Sequence, residues 1–153
     1  MTQAYTYRFT EVHEPGGTLY PVPRAQGITS TGWLDMANHQ RIVFLLAVGA
    51  IGQGDTVDFR VEQALDANGV VSTWVFPNAS WWGGIAITTL TAADGNELIA
   101  VEVMSEQMEN NYRYLRGVLT IAGSAVYCVV IPLRGTSNIP AVPVTGWTEI
   151  VAK

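Results

Sequence analysis

Two histidines, His13 and His39, are the first residues to weigh for chemistry, and a proline-containing stretch separates them. A structural zinc site takes about four ligands. No Cys or carboxylate set stands at ligand spacing around either histidine, so no metal is expected. Asp66, Asn68, Asp94 and Asn96 sit in two Asp/Asn-Gly turns that offer oxygens to calcium. Neither turn has the alternating carboxylate series of a calcium loop, and both read as turn geometry. Asp58, Glu62 and Glu102 have the chemistry of a glycosidase pair if they share a groove. Alternation places all three on wet strand faces, and nothing marks two of them as partners. No Gly-x-Ser-x-Gly elbow occurs, so Ser and His residues do not add up to a nucleophile and base. Cys128 stands alone in an apolar run from Ala125 to Ile131 and reads as a small buried hydrophobe. The expectation is a chain that is not an enzyme and holds no cofactor.

Contact chemistry is better represented. Trp81 and Trp82 are adjacent in a Ser/Gly-flanked loop. An exposed Trp of the pair suits stacking on a sugar ring or filling a partner's pocket, and a loop folded back over the end of the domain is the structural alternative. Tyr112 and Tyr114 are two apart and are expected on one face, beside Arg113 and Arg116; they are candidates for a subunit contact, and a wet-face aromatic ladder is the equally consistent alternative. Tyr20, Pro21 and Pro23 complete the candidate interface residues.

These residues must be positioned by strands. Arg41 to Gly49 is an almost unbroken apolar run that reads as a strand buried on both faces. Thr56 to Leu65 alternates, with Val57, Phe59 and Val61 on one side and Asp58, Arg60 and Glu62 on the other. The glycines between them predict a central hairpin. Asp66-Ala-Asn-Gly69 predicts a second hairpin, from Thr56–Leu65 into residues 70 to 76. Alternation resumes over 85–91 and 98–104, a helical turn fits 105–111, and two further strands fit 112–121 and 125–133. Edge strands fit residues 4–10 and 146–151. Pro15, Pro21 and Pro23 remove ladder donors, so residues 11–30 are expected to form an extended arm. The total is about nine strands, which fits an all-β, single-domain antiparallel β-sandwich or jelly roll, with a closed barrel as the alternative topology. Residues 1–30 are its N-terminal strand and arm, and residues 31–153 the sandwich with a Pro-containing tail.

The 153 residues carry a net charge of -5 and only 14% charged residues, against roughly 25% in an average soluble domain. Surface shared with other chains is one reason for so little charge, and Ser, Thr, Asn, Gln and Gly on wet faces is the other. No Lys or Arg cluster exists to track phosphates, so no nucleic-acid partner is expected. The run from Ile42 to Ile51 is about half the length of a membrane span, so no membrane partner is expected either. The N-terminus lacks a secretion-signal pattern, which predicts a chain made in a cytoplasm.

Several stretches resemble a family of small structural proteins encoded in the head modules of tailed bacteriophages and prophages. They are Trp33-Leu-Asp-Met36, the run from Arg41 to Ala50, Thr56 to Ala64 with Asp66-Ala-Asn-Gly69, Ile87 to Asp94, and Tyr112 to Thr120. The resemblance implies a virion protein on the outer capsid surface, with capsid decoration, or cementing, as the favoured role. It implies the major capsid protein and other copies of the chain, as a homotrimer, for partners. It supplies no catalytic residue. In that role the Tyr112–Arg116 face or the wet face of 56–65 would meet a subunit, while the arm over 11–30 and the tail over 134–146 would lie on neighbouring capsid protein. A glycan bound at Trp81 and Trp82, as in a lectin-like head fibre module, and a head–tail joining or tail role are the alternatives.

Overall fold

The computed structural model describes residues 13–75 and 85–136. Within them lie ten strands: β1 (His13–Pro15), β2 (Leu19–Arg24), β3 (Gly27–Ser30), β4 (Leu34–Asp35), β5 (His39–Val48), β6 (Thr56–Ala64), β7 (Thr73–Trp74), β8 (Leu98–Met104), β9 (Tyr114–Ala122) and β10 (Val126–Thr136). Two 3-10 turns, at Ala92–Asp94 and Ser105–Gln107, complete the described elements. All pairings are antiparallel and form two sheets.

In sheet I, β1 and β2 lie end to end along one edge of β10, followed by β5 and β8. In sheet II, β3 and β4 lie end to end along β9, followed by β6 and β7. Beyond β7 the same edge of β6 is taken up by residues 85–90, through bridges of Arg60 with Ala86 and Val57 with Leu90. Counting each interrupted edge as one strand gives eight positions. The chain changes sheet at every connection except the β6–β7 hairpin. Alternating between sheets in this order, with first and last strands adjacent, is the jelly-roll topology.

The core follows from period-two alternation. Ile42, Phe44, Leu46 and Val48 of β5 are buried and face Val57, Phe59 and Val61 of β6 across the interior. The Phe44 and Phe59 rings sit 5.6 Å apart at a tilt of 58°, an edge-to-face relation their quadrupoles favour. Gly117 leaves the room: a Cβ there would lie 2.5 Å from the Phe59 ring and 3.1 Å from the Phe44 ring.

The expected central hairpin is therefore corrected. β5 and β6 belong to different sheets, because each carries an apolar inner face and the two bury each other best across the core. The seven residues from Gly49 to Asp55 span the roughly 10 Å between sheets, with buried Ile51 among them. The predicted β6–β7 hairpin is present but short, Glu62 opposite Trp74 and Gln63 opposite Thr73. The expected arm is also corrected over residues 13–30. β1 and β2 pair with β10, and β3 pairs with β9. Pro21 and Pro23 fit β2 because an edge strand has one side without ladder partners. Truncation through residue 24 would thus strip an edge from sheet I rather than remove an appendage. The outer edge strands expected at 4–10 and 146–151 fall outside the described residues, as does the tail beyond Thr136.

Two side chains hold the crossings. Asp55, 8% exposed, accepts the Ser124 N–H at 2.8 Å and so ties the β5–β6 crossing to the β9–β10 turn. Asp55→Ala leaves that donor unsatisfied, and a loss of about 1–3 kcal/mol is expected in urea unfolding. Gln63 is fully buried and its Oε1 accepts the Glu109 N–H at 3.0 Å, fixing the β8–β9 crossing.

Cys128 is 1% exposed inside the core, and burial pushes its thiol up to about 11. The thiolate is the reactive form. Native protein at pH 8 is expected to resist alkylation by iodoacetamide, with full labelling after denaturation, both read by mass spectrometry.

Candidate interaction surfaces

Among the described residues no group of three or more His, Cys, Asp or Glu is arranged to hold a metal. The three acids weighed for hydrolysis do not meet. Asp58 and Glu62 point outward from sheet II, while Glu102 opposes Val43 on the outer face of sheet I. Asp58 accepts the Thr89 hydroxyl. The turn carboxylates are also occupied: Asp66 Oδ1 accepts the N–H groups of Asn68 and Val70, and those bonds hold its carboxyl below the usual range. Asp94 Oδ2 accepts from the Thr91 N–H and hydroxyl. A cleft of about 540 Å³ between residues 53–56 and 91–93 and one of about 300 Å³ over Asp58, Arg60, Val118 and Thr120 each carry one aspartate that is already engaged, Asp55 by the Ser124 N–H and Asp58 by the Thr89 hydroxyl.

What the fold assembles instead is a fixed patch of arginine and aromatic side chains on the outer face of sheet II. Directly opposed residues share a face, and β6 sets Glu62 opposite Arg116. Arg116 donates to Glu62 Oε2 from Nε at 2.9 Å and Nη2 at 2.7 Å. Arg60, two residues along the strand, donates to Oε1 at 2.9 Å. Glu62 is thereby 7% exposed although it lies on the outer face. The Arg116 guanidinium stacks 4.3 Å from the centre of the Trp33 ring, and Trp33 itself lies close against Gly69, where any Cβ would strike the indole. Arg113 forms a two-pronged ion pair with Asp35 and sits 5.5 Å over the Tyr114 ring. Bidentate pairing and stacking take away the rotamer freedom that arginines otherwise lose on binding.

The residues expected at an interface are thus split. Arg113, Tyr114 and Arg116 come together here. Tyr112 precedes β9, its N–H bonded to the Glu109 carbonyl at 3.1 Å, so it is not a strand neighbour of Tyr114. Tyr20, Pro21 and Pro23 lie on β2 in the other sheet, with Tyr20 72% exposed. Trp81 and Trp82 fall outside the described residues. Trp33 was not singled out as a contact residue by sequence, and Glu62 entered only as part of the wet face of 56–65. The sheet pairing that unites them joins positions dozens of residues apart, and only the Arg60/Glu62 alternation hinted at it.

Sheet I has a second outward surface of different character. Val43, Leu45 and Ala47 of β5 oppose Leu133, Ile131 and Val129 of β10 on one side and Glu102, Ala100 and Leu98 of β8 on the other. The run expected to be buried on both faces is covered on its inner face; the outer side chains of β5 remain half-buried within the chain.

The chain matches no protein-family model, and no curated protein matches it.

Proposed function

We propose that the protein is a virion structural component that decorates a capsid, working as a homotrimer that bridges neighbouring capsid subunits on the outer surface and transforms no molecule. The observation that carries this reading is the sheet II patch. Trp, Tyr and Arg are the residues that dominate binding energy at protein interfaces, and here Trp33, Tyr114, Arg113 and Arg116 are held in place before any partner arrives. Preorganisation lowers the ordering cost of association. A jelly roll is an architecture used in capsids and in lectins, so the fold accommodates the reading without selecting it. The sequence resemblance supplies the virion context. Repetition over a shell multiplies a modest contact into a large stabilisation.

The test uses capsids assembled without the protein. The wild-type chain is expected to co-sediment with them and raise their resistance to heat. Trp33→Ala with Arg116→Ala should weaken binding by about 2–4 kcal/mol while the isolated protein still melts cooperatively. Equal capsid binding by the folded double variant defeats the proposal.

A further inference from the structure

The outer face of sheet I is apolar and almost free of charge. Val43, Leu45, Ala47, Ala100, Val129 and Ile131 lie side by side on it by register, and Leu98 at its end is 75% exposed. Its charged pair is Arg41 with Glu102, 3.6 Å apart and each 51% exposed. We propose that this face is where copies of this chain meet, buried against a second copy in the assembly. The assignment rests on the reading that the protein assembles with itself.

Three observations favour a second copy as the occupant. Interfaces between partners that also exist apart are about as polar as ordinary surface, whereas those between permanently joined copies resemble a core cut in half. This face is of the second kind. Its two charges cancel, so the face is neutral on a chain whose net charge is -5, and two copies approach it without local repulsion. The size also fits: the three central strands over six or seven residues make a plane of roughly 15 by 22 Å. With side-chain relief that is on the order of 600 Å² per copy, the lower end of a specific interface.

The rival cover is the chain itself, since residues 1–12 and 137–153 join the described segment at His13 and Thr136, both at one end of sheet I. Sedimentation velocity on the full chain up to about 100 µM separates the two. The wild type is expected to associate. Ala100→Lys, at an exposed position of the face, should weaken association at least about a hundredfold while its circular dichroism spectrum stays that of the folded chain. Leu45→Lys should act likewise. Ile28→Lys, at an exposed position of sheet II, should associate as the wild type does. A monomeric wild type, a folded Ala100→Lys that associates normally, or an Ile28→Lys that dissociates equally overturns the proposal. Capsid binding is scored separately. Self-association that survives without it defeats the decoration reading and leaves this face assigned, and a monomer that still decorates defeats this face and the trimer but not decoration itself.

Discussion

Phe59→Ala is expected to lower stability by about 3–5 kcal/mol, seen as an earlier urea midpoint at an unchanged slope. The ring lies against Phe44 in the middle of the core, so its removal opens a cavity that the rigid strands on either side do not close. Gly117→Ala should cost about 1–3 kcal/mol for the opposite reason, since the added methyl collides with both rings. The two changes share one volume. The double variant is therefore expected to be more stable than the sum of the single losses predicts, with a coupling of about 1 kcal/mol or more. Additive losses would mean that Gly117 and the Phe59 ring do not touch.

The second large effect lies at the end of the sandwich where β1, β5 and β10 meet. Arg134, whose side chain is 13% exposed, donates to Glu14 Oε1 at 2.8 Å and to the Asp35 carbonyl at 3.0 Å. His39 Nε2 is 3.7 Å from the other oxygen of Glu14. Glu14→Ala leaves the guanidinium enclosed without its carboxylate, and a loss of about 2–4 kcal/mol is expected. Changing Arg134→Met in the same chain should recover part of it, because the enclosed charge left without its carboxylate is then gone. The cluster also sets a pH dependence. Burial, with the Arg134 charge, holds the His39 imidazole below its ordinary 6.5, and Glu14 and Asp35 oppose this without reversing it. The unfolded chain then binds the proton more readily than the folded one. Stability contributed by neutral His39 is full above pH 6.5 and declines as pH falls through that value toward the lowered folded pKa. Asp35 acts in a separate window. The Arg113 hydrogen bonds hold its carboxyl below 3.8, so its contribution is lost only under more acidic conditions. His39→Gln should flatten the melting temperature between pH 7 and 5 and leave the more acidic fall in place. A slope unchanged in that variant would remove His39 from the account.

The strands were largely readable from residue order because alternation is local. Val57, Phe59 and Val61 declared an inner face, and Val101 with Val103 did the same for β8. Sheet membership was not readable in the same way. The glycines between β5 and β6 suit a hairpin and a crossing equally, and the choice is made by which apolar faces bury each other. Proline misled over residues 13–30, because its missing donor argues against a central strand but not against an edge. The candidate patch divided along the same line. Arg113, Tyr114 and Arg116 were visible as a local cluster. Glu62 read as a solvated acid, because the arginine that encloses it comes from a strand 54 residues away. Trp33 carried no local mark at all. Its place depends on Gly69 in a distant turn offering bare backbone to the indole.

At the outer edge of sheet II the Ile85 N–H meets the Val75 carbonyl at 2.8 Å, so the chain departs from this strand position and re-enters at the same rung. Nine residues lie between those two points in sequence. The closure entropy of a loop between two fixed ends grows only slowly with its length. That rung is a natural graft point: a peptide inserted between residues 75 and 85 inherits two closely spaced ends fixed by the ladder.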